Sequence, residues 1–117
     1  MDILVTSSPK TLGWLNVIKS NVIKEISSMN YNEAKYYASF KSLDTQRNVV
    51  YLQPYRNQIR LFTELPLSFD NKLESTPSSS IWAEMYPSVF KIRSEYEIEK
   101  AVYLIINSHR LDLTKKS

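Results

Sequence analysis

Hydrophobic residues change their period twice along this chain. From residue 12 they recur at spacings of three and four: Leu12, Leu15, Ile18, Val22 and Ile26, with Trp14 and Ile23 widening the stripe. Lys10, Asn16, Lys19, Ser20, Lys24 and Ser27 fall on the opposite side. Ser8-Pro9 supplies an N-cap followed by a proline at the first helical position, where its missing N–H costs nothing. The pattern predicts an amphipathic helix over residues 9–28, with a turn beginning at Met29-Asn30-Tyr31-Asn32 and residues 1–7 forming a short strand or a lead-in.

The period then shortens to two. In residues 35–42, Tyr36, Ala38 and Phe40 alternate with Tyr37, Ser39 and Lys41, the signature of a half-buried strand. A turn at 43–47 leads to a second strand, Asn48 to Gln53, ended by Pro54. Asn57-Gln58 turns the chain into a third strand, Ile59 to Glu64. Residues 67–80 read as a helical turn and a Ser/Thr/Pro loop. Trp82 to Tyr86 and Val89 to Arg93 read as two further strands. Ser94-Glu95-Tyr96-Glu97 is a capping box, opening a helix to about residue 111 whose apolar face carries Ile98, Ala101, Val102, Ile105, Ile106 and His109. Short strand connections imply antiparallel pairing. Two amphipathic helices need one apolar surface to cover. The expected fold is therefore α+β, a two-layer sandwich. Its antiparallel sheet has four to five strands, with the N- and C-terminal helices on one face and the other face open. A single domain of residues 1–117 is expected, its core at 9–112 and its tail at 113–117 disordered.

Composition narrows the chemistry. The chain has no cysteine, which removes disulfides, thiolate metal sites and cysteine nucleophiles. One histidine excludes a histidine metal cluster, and His109 is expected to serve the end of its helix. One glycine, Gly13, excludes a glycine-rich phosphate loop. No cofactor or metal is expected. Glu95, Glu97 and Glu99 suit a first helical turn; Glu64 and Glu84 form an acid–base pair only if the sheet brings them together. No apolar run approaches the ~20 residues of a membrane span, and the first residues lack a secretory pattern, so a cytoplasmic protein is expected. Net charge is +3 and uneven: residues 1–60 hold eight Lys/Arg against four Asp/Glu, and residues 61–99 hold three against seven.

The basic residues of the first half coincide with the strands and with tyrosines. Lys35, Tyr37, Lys41, Arg47, Tyr51, Tyr55, Arg56 and Arg60 form the candidate binding set. Aromatic rings stack on unpaired bases while Lys and Arg follow phosphates. Strands also favour aromatics for packing alone. Two partner classes follow, nucleic acid and another protein chain or a second copy, since exposed aromatics and arginines suit either. A third reading is an enzyme with a small-ligand pocket between the sheet and residues 67–88.

From Lys35 onward the chain resembles a bacterial and archaeal domain of unknown function labelled "predicted transport protein", often C-terminal to restriction-endonuclease-like nucleases. Two segments carry the resemblance. Residues 48–61, NVVYLQPYRNQIRL, are similar to that family's Asn-aromatic-aliphatic strand, its Pro with a basic residue, and its alternating strand. Residues 94–108, SEYEIEKAVYLIINS, are similar to its capped final helix. Trp82 matches a His-Trp-Gly-type turn in which Ile81, Ala83 and Met85 stand in place of the His and glycines. The family is in turn similar to the YjbR-like double-wing fold, for which DNA binding has been proposed. The resemblance thus implies a non-enzymatic nuclease-accessory or nucleic-acid-binding role.

Overall fold

The computed structural model describes residues 6–80 and 83–115. Helix α1 (Pro9–Glu25) is followed by strands β1 (Met29–Glu33), β2 (Ala38–Ser42), β3 (Asn48–Pro54) and β4 (Ile59–Thr63). A 3-10 turn (Leu67–Phe69), the two-residue strand β5 (Glu74–Ser75), β6 (Ser88–Ile92), a second 3-10 turn (Glu95–Glu97) and helix α2 (Ile98–Thr114) complete the chain. The sheet is antiparallel with spatial order β1-β2-β3-β4-β6-β5. The class is α+β, as the pattern predicts, with six strands instead of four to five. Among the described residues no helix is long and apolar enough to cross a membrane.

One core joins both helices to one sheet face. Leu15, Ile18 and Val22 of α1 and Ile98, Ala101, Leu104 and Ile105 of α2 pack over Ala38, Phe40, Val50, Leu52, Ile59, Leu61, Phe90 and Ile92. The register shifts between Phe40 and Lys41, a β-bulge that buries both Val49 and Val50. Ser8 caps α1 by accepting from the Thr11 N–H at 3.2 Å, while its hydroxyl donates to the Arg56 carbonyl at 2.6 Å and fixes the helix start to the β3–β4 turn. The capping box at Ser94 forms as expected, with the Ser94 N–H donating to Glu97 Oε1 at 3.1 Å.

Several expectations are corrected. Met29–Glu33 is an edge strand, not a turn. Tyr36 does not share the core face with Ala38 and Phe40: residues 34–37 close the β1–β2 hairpin, with the Ala34 N–H on the Tyr37 carbonyl at 2.8 Å, and Tyr36 stands 44% exposed. Residues 83–85 form a turn, so no strand runs to Tyr86; Trp82 itself lies outside the described residues. Helix α1 stops at Glu25 and leaves Ile23 exposed. The buried stripe of α2 is turned towards Ser108, His109 and Asp112, leaving Val102 and Ile106 only partly covered. Helix α2 also extends to Thr114, into the expected tail. The strand or lead-in expected at 1–7 falls largely outside the described residues, as do the last two residues of the tail.

The second sheet face is not fully open. Tyr86 returns over it from the 76–87 loop and buries against Phe62 and Val89, with Tyr51 at the margin. The Tyr86 hydroxyl donates to the Asn48 carbonyl at 2.7 Å, and the Thr76 hydroxyl donates to the Tyr86 carbonyl at 2.7 Å. These bonds hold the loop down over the sheet.

Candidate nucleic-acid interface

The sheet registers decide which candidate residues meet. Tyr51 lies opposite Phe62 and Gln53 opposite Arg60, all on the face away from the helices. Arg60 is in turn opposite Lys91 of β6. The β1–β2 turn brings Lys35, Tyr36 and Tyr37 to the same end of the sheet as the β3–β4 turn, which carries Tyr55 and Arg56. Five of the eight candidates therefore gather at this hairpin end: Lys35, Tyr37, Tyr55, Arg56 and Arg60. Tyr51 lies nearer the middle, its ring edge-on to Tyr37 and to Tyr86 at 5.2 Å each. Burial, then the neighbouring Tyr37, raises the Tyr51 phenol above its ordinary value, against a bond from the Asn48 amide at 2.9 Å. Burial raises that of Tyr86 further.

Lys41 and Arg47 stand at the opposite end. Lys41 sits half-buried between Asn30 and Asn48 on neighbouring strands. Arg47 is engaged in the fold: its Nε donates to Asp112 Oδ1 at 2.8 Å and its Nη2 to the Asp112 carbonyl at 3.0 Å. The Thr45 hydroxyl also donates to the Asp112 carboxylate. Arg47 is thereby a clamp between the β2–β3 turn and the end of α2. His109 is buried beside Ser42, with Nε2 and the Ser42 Oγ 3.3 Å apart and Asp44 at 3.8 Å. It joins helix to sheet and does not cap its own helix. Glu64 and Glu84 do line one cleft, together with Asp112, but Lys115 binds Glu64 and Arg47 binds Asp112.

At the hairpin end, sheet and loop enclose a cavity of about 360 Å³. Tyr36, Tyr37, Gln53, Tyr55, Arg60 and Phe62 line it from the sheet, and Pro77 and Ser80 from the loop. The Arg60 guanidinium carbon sits 5.0 Å from the centre of the Tyr55 ring, a cation–π arrangement that fixes the side chain. Its buried Nε has no hydrogen-bond partner among the described residues. Lys35 lies over the Tyr36 ring at 5.4 Å, and Arg56 is exposed on the adjoining turn. Among the described residues, none of Lys35, Arg56 and Arg60 has an ion-pair partner. A narrower space beside the cavity shares Arg60 and Phe62 and holds Glu74, which Lys91 pairs at 3.2 Å.

A pocket between sheet and loop is also what the enzyme reading requires. The described lining offers phenols, an amide, a hydroxyl and a guanidinium, with no carboxylate or imidazole. Such a set can bind and orient a ligand, and its phenols are the described groups able to move a proton. No group of three His, Asp or Glu side chains among the described residues is placed to hold a metal. Sequence reading missed Tyr36 and Ser80 as cavity walls. Tyr36 was assigned to the core face, and the loop's return over the sheet leaves no periodic signal. Comparison with protein-family models, curated proteins and solved structures finds no match.

Proposed function

We propose that this domain is a non-enzymatic cytoplasmic binding module that holds nucleic acid on the sheet face away from its helices. The observation that supports this best is the convergence of Tyr37, Tyr55 and Arg60 on one cavity, with the Arg60 Nε buried and unpartnered among the described residues. The Arg60 guanidinium lines that cavity and can donate charge-assisted hydrogen bonds to a ligand acceptor. Lys35 and Arg56 flank the site and supply charge for phosphates. The finer form of the reading, an accessory domain to a nuclease, follows from the family resemblance.

The test is fluorescence anisotropy with labelled DNA and RNA at micromolar protein across a salt series. Binding should weaken steeply with salt, and Arg56→Ala or Arg60→Ala should reduce it. No salt-sensitive binding to any nucleic acid would sink the proposal. A second reading, protein association, has its own observation: among the described residues β1 pairs only with β2, which leaves its other edge for strand addition. Its exposed Asn30, Asn32 and Glu33 make that edge polar. A monomeric mass by light scattering together with failure to capture any partner would count against this reading.

A further inference from the structure

We infer that the cavity at the hairpin end takes one unpaired nucleotide, its base entering against the tyrosines and its acceptor edge meeting Arg60. This rests on the nucleic-acid reading above and narrows it to single-stranded or extruded nucleotides. Size is the first argument. About 360 Å³ lies at the lower end of small-ligand sites and suits one nucleotide, not a base pair. Shape is the second. The cavity lies between the sheet and the loop at Pro77 and Ser80, so a base still stacked in a duplex could not present its edge there. Duplex recognition by side chains calls instead for an element that projects into a groove. Chemistry is the third. Tyr36, Tyr37 and Tyr55 provide ring surface, and base–aromatic stacking tolerates any base. The Arg60 guanidinium, which lines the cavity, offers paired N–H donors to adjacent acceptors, a pattern that guanine presents with O6 and N7. Gln53, directly opposite Arg60, adds an amide donor and acceptor at the same depth. Lys35 and Arg56 lie outside the cavity on the two hairpin turns, where the phosphates on either side of the inserted base would pass.

The experiment compares a short mixed-sequence single strand with the same sequence as a duplex, at about 50 mM salt where phosphate contacts are strong. Wild type, Arg60→Lys, Tyr55→Ala and Arg56→Ala are each checked for folding by thermal melting. The single strand is expected to bind at least about tenfold more tightly than the duplex. Arg60→Lys keeps the charge but loses the planar donor fork, and should remove most of that preference. Tyr55→Ala should weaken single-strand binding about tenfold, the loss expected for one base–aromatic stack. Arg56→Ala should weaken both forms alike and lower the salt slope. Guanosine monophosphate should compete for the site better than uridine monophosphate. If duplex binds as well as single strand, and Arg60→Lys and Tyr55→Ala bind like wild type, the single-nucleotide site is overturned while the nucleic-acid reading stands. If neither form binds, both fall together. A second tyrosine variant, Tyr37→Leu, replaces Tyr55→Ala should the latter fail to fold.

Discussion

The two ends of the sheet use similar residues in opposite ways. At the end where β2 leaves and β3 enters, two cations are matched, Arg47 with Asp112 and Lys115 with Glu64, and Lys41 alone of the candidate set there has no ion-pair partner among the described residues. At the hairpin end, Lys35, Arg56 and Arg60 have no carboxylate partner among the described residues, and Arg60 keeps a buried N–H without an acceptor. Arg47 and Arg60 are both arginines on or beside central strands. One holds the helix to the sheet, and the other is held over Tyr55 at the edge of a cavity. Where a cation's partners lie therefore separates a structural role from a binding role better than the presence of the cation does.

The largest effect should come from breaking the matched end. Asp112 is almost wholly buried, its side chain 2% exposed, and it collects Arg47 and Thr45. Asp112→Ala removes charge-assisted bonds from a covered site and should cost about 2–3 kcal/mol, read as a lower denaturation midpoint at unchanged slope. Nucleic-acid binding by the folded fraction should stay near wild type. A variant of unaltered stability would show that this end is not the clamp its geometry describes.

The hairpin end should respond in the reverse sense. Arg60→Leu removes an unsatisfied buried donor and leaves an apolar side chain beside Phe62 and Tyr55. Stability should be unchanged or higher by up to about 1 kcal/mol, while single-strand affinity falls. Such a trade of stability against binding marks a ligand site. A loss of stability comparable to that of Asp112→Ala would instead place Arg60 among the structural cations.

Much of this arrangement was legible in the sequence, and the exceptions have physical causes. The period-two pattern of residues 38–63 placed Tyr51 with Phe62 and Gln53 with Arg60 on a common face, as the register confirms. The N-cap at Ser8 and the capping box at Ser94 were legible because their chemistry is local. Strand β1 was missed because Met-Asn-Tyr-Asn-Glu is an edge strand with only Met29 buried, so it carries almost no alternation. The difference between Arg47 and Arg60 was not legible. Asp112 lies 65 residues from Arg47 in sequence, and the absence of an acceptor at Arg60 is a fact of tertiary packing. The cavity depends on the 76–87 loop returning over the sheet, which rests on two long-range bonds of Tyr86 and Thr76 that no spacing announces.

A smaller effect belongs to the turn that carries Arg47 to its partner. Gln46 has φ of 62°, the left-handed region that a residue with a Cβ enters at a cost. Glycine adopts that conformation without strain but loses more freedom on folding. Gln46→Gly also gives up an exposed bond from the Gln46 amide to the Leu43 carbonyl at 2.9 Å. The balance should be a gain of about 0.5 kcal/mol, visible as a small rise in midpoint, with Asp112→Ala still costly in the same background. If Gln46→Gly destabilises instead, the side-chain bond outweighs the backbone strain.

The smallest effect separates another matched cation from the binding end through pH. Lys100 Nζ donates to Asp70 Oδ2 at 2.6 Å, and the Asp70 side chain is 11% exposed. That bond, followed by one from the Lys72 N–H, holds the Asp70 carboxyl below its ordinary value of 3.8, against the opposing effect of burial. A carboxyl with a depressed folded value binds its proton more readily when unfolded. Its stabilisation is therefore fully present above the ordinary value and disappears as pH falls through the lower, folded one. The stability difference between wild type and Asp70→Asn should be flat from about pH 7 to pH 5 and should shrink below about pH 4. Its size should not exceed about 1 kcal/mol, since Lys100 is 38% exposed and solvent screens the pair. Releasing Lys100 should leave single-strand affinity unchanged, because no part of the cavity at Arg60 includes it. A rise in affinity in Asp70→Asn would mean that any unmatched cation on this surface recruits nucleic acid, and the contrast between the two ends would lose its meaning for function.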